Sequence, residues 1–209
     1  MKTVRFFLSV ALAAVALSCN TTRWQPVGDH IMTEWGENLD PNNVHQEYPR
    51  PQLVREDWRN LNGFWNYAIT PIDAEDSDCK DGQILVPFAV ESALSGVGRT
   101  VTENDALWYE REFIVPREWK GKRLMLNFGA VDWHAQVFVD GQFAGEHKGG
   151  YAPFSIDATD FLKKSRKHTL KIKVIDSTET SWQPRGKQIL NPNGIWYTAV
   201  TGIWQTVWM

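Results

Sequence analysis

The 209-residue sequence is short of the groups that most chemistries need. It has two cysteines, five histidines and no excess of basic charge, with 22 Lys and Arg against 25 Asp and Glu and a formal charge of −3. Without a basic stripe nothing displaces counterions from a phosphate backbone, so nucleic acid is not an expected partner. His30, His45, His134, His147 and His168 show no HxH or HExxH spacing, and no metal site is expected. His134 and His147 are placed to oppose each other across a hairpin, with no third or fourth ligand in view. No phosphate loop or dinucleotide fingerprint occurs, so no cofactor is expected, and Ser92 and Ser95 lack the context of a nucleophile elbow. Helical periodicity is almost missing, with one short helical turn read near residues 158–164.

The longest apolar run, Phe6 to Leu17, follows Lys2 and Arg5 and is too short to span a bilayer. It reads as the core of a signal peptide, residues 1–18. The stretch Ala16 to Cys19 (ALSC) resembles the lipobox of bacterial lipoproteins, which implies lipidation of Cys19 and a lipid anchor. The expected location is therefore the outer membrane or periplasm of a Gram-negative bacterium. With Cys19 acylated, Cys79 has no disulfide partner; among Asp76, Asp78, Lys80 and Asp81 it reads as an exposed loop thiol. Residues 19–47 show no sustained period and read as a tether and an arm.

What the sequence does have is strands and aromatics. Gly at 15, Pro at 10 and Trp at 11 suit a loop-rich β protein. Asn62-Gly63 marks a turn before the β-prone run Phe64 to Ile69. Trp108 to Val115 is closed by Pro116, and Leu124, Leu126 and Phe128 alternate with other residues. Asp140-Gly141 lies between two alternating runs, the strongest local hairpin signal, because both central positions need positive φ. Leu170, Ile172 and Val174 alternate with Lys171 and Lys173, which predicts one buried and one wetted face. Glu110, Arg111 and Glu112 read as a solvated strand surface, and Trp65, Trp108 and Trp133 as core. Many short strands over residues 48–209 predict an all-β fold, a jelly-roll β-sandwich. A chain of this length buries roughly two-thirds or more of its unfolded surface, enough for a core without staples.

Four blocks then occur in one order: LVPFAVESALSG from Leu85, LWYEREFIVP from Leu107, FGAVDWHAQVFVDGQFAGEHKGGYAPFSIDAT from Phe128, and TGIWQTVW from Thr201. Together they resemble the N-terminal sugar-binding domain of glycoside hydrolase family 2, which includes β-galactosidases, β-glucuronidases and β-mannosidases. The resemblance implies a galactose-binding-domain-like jelly roll, followed in such enzymes by immunoglobulin-like domains and a (β/α)₈ barrel. The barrel carries two glutamates for retaining hydrolysis, with carboxyls about 5–5.5 Å apart. Such a barrel needs roughly 250 residues, so these 209 are expected to lack it and to be inactive alone.

Carbohydrate is the expected partner, through aromatic faces and polar side chains. The resemblance places Glu91, a loop carboxylate in water when the domain stands alone, toward the active-site end of the barrel. Ser181 to Asn193 (SWQPRGKQILNPN) reads as a long loop in which Trp182 offers a platform and Arg185, Lys187 and Gln188 offer donors. Better-known members carry an acidic residue in this loop, and none lies between Trp182 and Asn193 here. That difference points to a sugar with an anionic group. Gly149-Gly150 reads either as turn geometry or as room for a ligand. Trp204 and Trp208 alternate along the last strand, which predicts exposed aromatics at a junction with a catalytic domain, missing or separate. A free-standing glycan-binding lipoprotein, or a scaffold for a separately encoded barrel, is the alternative.

Overall fold

A computed structural model describes residues 24–29 and 31–209. The expected signal peptide, Cys19, His30 and the first part of the expected tether lie outside the described residues. Thirteen strands are described: β1 Gly63–Pro71, β2 Gly82–Val86, β3 Asp105–Ile114, β4 Met125–Phe128, β5 Val131–Asp132, β6 His134–Val139, β7 Gln142–Lys148, β8 Phe154–Asp157, β9 Lys167–Ile175, β10 Gln188–Ile189, β11 Tyr197–Thr198, β12 Gly202–Ile203 and β13 Val207–Trp208. The only α-helix among the described residues is one turn, Glu34–Glu37, and no described helix is long and apolar enough to cross a membrane.

Six strands form the larger sheet in the order β2-β1-β3-β9-β6-β7, and β13-β4-β8 form the smaller one. The sheets pack as a β-sandwich, the jelly roll expected. Their inner faces meet through Trp65, Leu107, Tyr109, Val137, Leu170 and Ile172 from one sheet and Leu126, Phe128 and Val207 from the other. Phe128 stacks on Phe154 at 4.6 Å. Most of these side chains are fully buried, and each such large apolar group stabilises by about 1.5–3 kcal/mol.

The hairpin between β6 and β7 turns at Asp140 (φ 50) and Gly141 (φ 81), as its sequence predicts. Asp140 also closes the turn: Oδ2 accepts from His168 Nδ1 at 2.7 Å and Lys163 N at 2.9 Å, and Oδ1 accepts from Thr169 N at 2.9 Å. The two histidines of this hairpin do not face each other. His134 pairs in register with Lys148, whereas His147 lies opposite Ala135, so they point to opposite faces.

Four expectations about surfaces are corrected. The outer face of β9 is not wetted throughout, because residues 72–80 fold over it. There Lys173 is buried, with Nζ donating to Ile72 O at 3.1 Å and Ala74 O at 2.6 Å and lying over the Trp108 ring. Cys79 is consequently buried against Ala106 and Trp108, and burial pushes its thiol up to about 11. It is an inert packing group, not an exposed thiol.

Arg111 is not part of a solvated stripe. Its Nη1 donates to Leu61 O at 2.9 Å and Asn62 O at 2.7 Å, tying β3 to the entry of β1. Glu110 and Glu112 instead face Lys171 at 3.5 Å and Lys167 at 2.5 Å.

The last strand is enclosed. β13 pairs with β4, and backbone bonds run from Leu61 N to Val207 O at 2.8 Å and from Met209 N to Arg59 O at 2.9 Å. Trp208 is buried, with Arg50 over its ring, so it is not an exposed aromatic. The alternation suggested one continuous strand, but pairing breaks between Ile203 and Val207. Trp204 therefore belongs to a different segment, half-buried, with Nε1 donating to Gly150 O at 2.7 Å.

Candidate functional site

One rim of the sandwich collects four segments: residues 87–98, β5, the 149–153 bend, and the stretch from Asp176 to Trp204. Asp176 sits just beyond the alternating β9, at the point where the period ends. Its Oδ1 accepts from Thr178 N at 2.8 Å and Gln183 Nε2 at 2.5 Å, and its Oδ2 accepts from the Thr201 hydroxyl at 2.8 Å. Asp176 thus fastens the start of a long loop to its end.

Glu91 lies beside this tie. Its Oε2 accepts from Thr201 N at 2.9 Å, and its Oε1 is buried without a partner among the described residues. Only 7% of the residue is exposed, so it is not a loop carboxylate in water. The reason is that the loop after Asp176 returns through Thr201 and closes over it. Burial pushes Glu91 up to about 7, against the lowering effect of its hydrogen bonds from Thr201.

Asp132 completes a trio of enclosed carboxyls. It is 2% exposed, and burial, with a further push from nearby Asp176, raises it to about 7. Its Oδ2 accepts from Gln188 Nε2 at 3.2 Å. A Cβ built on Gly150 would lie 2.2 Å from Asp132 Oδ1, so the glycine makes room for this carboxyl. Gly150 is therefore explained by a close approach within the chain, and Gly149 by its φ of +132. A glycosidase pair must stand open to substrate on both sides of a sugar ring. Glu91 and Asp132 are closed off, and their geometry is that of structural supports.

The sequence-predicted loop residues divide into two groups. Gln188 is buried: Nε2 also donates to Tyr151 Oη at 3.2 Å, and Oε1 accepts from Val200 N at 2.6 Å. It is a tether for the loop rather than a free donor. Trp182, Arg185 and Lys187 are on the outside or at its edge, Trp182 being fully exposed. Trp182 stands apart from the aromatic grouping around Arg185, whose guanidinium lies over the Trp196 ring at 5.8 Å. Its Nη1 is enclosed and has no acceptor among the described residues. Tyr197 Oη accepts from Lys187 N at 3.1 Å, and Tyr197, Tyr151 and Trp196 each keep an exposed surface. The result is a cationic group framed by aromatic rings. Such a surface can stack a sugar and pair with an acidic substituent.

Asp132, Asp176, Gln183, Thr201, Tyr151 and Trp196 were not singled out from the sequence. For the two aspartates a signal was present: each is an acid at the edge of an apolar strand run, AVDW and KVID. The others have none, because their partners lie far away in the chain.

This fold and rim define a carbohydrate-binding β-sandwich, and comparison with known proteins agrees. Residues 82–209 match the family described as "Glycosyl hydrolases family 2, sugar binding domain". The chain belongs to this family. It is 30% identical over 142 residues to a β-glucuronidase of Paenibacillus borealis, covering 65% of this chain and 23% of that protein. It is 36% identical over 124 residues to a β-glucuronidase of Bacteroides fragilis, covering 59% and 17%. It is 35% identical over 102 residues to a β-galactosidase of Thermoanaerobacter pseudethanolicus, covering 49% and 13%. Among solved structures, Lactobacillus rhamnosus β-glucuronidase superposes with a TM-score of 0.57 at 26% identity, over 74% of this chain and 29% of that one. Ruminococcus gnavus β-glucuronidase has the same fold, with a TM-score of 0.58 at 21% identity over 78% and 30%. The chain thus matches less than a third of the length of each of these relatives.

Proposed function

We propose that these residues form the N-terminal sugar-binding domain of a retaining glycosidase that cleaves O-glycosidic bonds. Bond cleavage belongs to a catalytic domain outside these residues, and this domain supplies one wall of the sugar pocket. The observation that carries the reading is Arg185, held against Trp196 with an unpaired guanidinium nitrogen in a loop without acidic residues from Trp182 to Asn193. That combination suits a sugar bearing a carboxylate or another anionic group. β-Glucuronidases among the relatives support it. β-Galactosidases among them keep neutral sugars in the comparison.

The lipobox-like stretch adds that the enzyme is anchored through Cys19 to a membrane at the outer membrane or periplasm. A second reading is a glycan-binding lipoprotein, alone or as a scaffold for a separate barrel. The exposed rings of Tyr151, Trp196 and Tyr197 around Arg185 favour it, because they form a sugar-sized surface from the described residues alone.

Two measurements separate the readings. An immunoblot of source membranes with an antibody to residues 48–209 is expected to detect a species several-fold heavier than this chain. Immunoprecipitated material is expected to hydrolyse aryl β-glycosides of an anionic sugar. A species of this chain's own size, with no associated hydrolysis and with saturable glycan binding, would overturn the first reading in favour of the second.

A further inference from the structure

The loop that carries Arg185 is held by carboxyl groups that have no cation bonded to them among the described residues. Five ties hold residues 177–200: Thr178 and Gln183 to Asp176 near its start, Gln188 to Asp132 in its middle, and Thr201 to Asp176 and Glu91 at its end. Among the described residues no Lys, Arg or His hydrogen-bonds or ion-pairs with any of the three acids. The groups facing them are Thr178, Gln183, Gln188 and Thr201, with Tyr151 from the 149–153 bend and Tyr109 from β3. Tyr109 Oη accepts from Ile203 N at 3.2 Å. Arg185 and Lys187, on the same loop, make no hydrogen bond or ion pair with the three acids, and Arg185 lies over the Trp196 ring instead.

Charge on Glu91 and Asp132 in this enclosed rim lacks water to solvate it and is disfavoured further by Asp176 beside them. We propose that Asp176, Glu91 and Asp132 are positioning residues for the 177–200 loop, holding Arg185 and Trp196 in place while a proton remains on Glu91 or Asp132 and loosening the loop when both are ionised. Glu91 Oε1 and Asp132 Oδ1 are both buried and unpartnered, so each offers a place for that proton. Burial also pushes Glu91 and Asp132 up to about 7. The consequence for sugar binding rests on the preceding proposal that this loop contacts the sugar; the latch itself does not.

The test is hydrogen exchange of the full-length gene product from pH 5 to 8, with amide rates corrected for their intrinsic pH dependence. Amides of 177–200 are expected to lose protection as pH rises through about 7, by on the order of tenfold per unit for each proton released, while β9 amides stay constant. The double variant Glu91→Gln, Asp132→Asn keeps acceptors for Thr201 N and Gln188 Nε2, and its loop protection is expected to be flat with pH. Constant protection of the wild-type loop from pH 5 to 8 would overturn the proposal, and that result needs no variant to fold. An unchanged pH profile in a folded double variant would overturn it equally. If the loop titrates but affinity for an anionic sugar does not change with it, the latch stands and the assignment of the loop to sugar contact fails.

Discussion

The hydroxyl of Thr201 donates to Asp176 Oδ2 at 2.8 Å across 25 residues of chain, and this bond closes the loop that carries the aromatic and cationic rim. Both partners are fully enclosed. Replacing Thr201 by Val removes the donor but retains the amide that serves Glu91. The expected loss is about 1–3 kcal/mol, the cost of leaving a buried acceptor short of a donor. Denaturant unfolding checks it, and Thr201→Ser is expected to restore most of the difference.

Stability is expected to depend on pH in a defined direction. Glu91 and Asp132 are raised to about 7 from ordinary values of 4.5 and 3.8, so the folded state holds their protons more tightly than the unfolded chain. Their contribution is full below about pH 4 and is lost as pH rises through about 7. Exposed acids such as Asp57 and Asp76, lowered chiefly by Lys122 and Lys171, act with the opposite sign, at acid pH and under solvent screening. Thermal unfolding from pH 4 to 8 should therefore show stability falling toward pH 8, with a weaker slope in Glu91→Gln. A rise over the same interval would refute the assignment of the two acids.

Gly202 faces a narrower constraint than other glycines. It has φ +90, and a Cβ there would lie 2.0 Å from Tyr109 Oη. Gly202→Ala is expected to cost about 3 kcal/mol or more, because both backbone strain and overpacking act against it. Gly141→Ala meets open space and is expected to cost about 1 kcal/mol from its positive φ alone. Comparing the two melting temperatures separates crowding from conformation.

On the rim, Arg185 and Trp182 should behave differently. Arg185→Ala is expected to weaken binding of an anionic sugar by about 10- to 100-fold, in line with about 1.5–3 kcal/mol for a charge-assisted hydrogen bond. Trp182 is fully exposed and stands apart from the Arg185–Trp196 pair, so Trp182→Ala should leave stability within about 0.5 kcal/mol. KM measured on the full-length protein for anionic and neutral aryl glycosides checks the first, and denaturant unfolding checks the second.

Cys19→Ala is expected to release the protein from the membrane fraction and to abolish incorporation of a labelled fatty acid. Retained labelling would place the acyl group elsewhere.

The strands of the sandwich, the Asp140-Gly141 hairpin and the family resemblance were all legible in local patterns, because alternation and turn chemistry act over a few residues. The position of the candidate loop was legible too, from its length and its two prolines. Burial was not. Cys79, Lys173 and Glu91 look like surface residues beside their neighbours in sequence, and only the chain folding back over them makes them interior. Trp208 looks exposed on a terminal strand until its pairing with β4 and the 59–61 segment encloses it. Sequence alone determined the main strands and the position of the candidate loop. Tertiary structure decided which acids lose their water, since desolvation depends on what lies above a side chain and not on what precedes it.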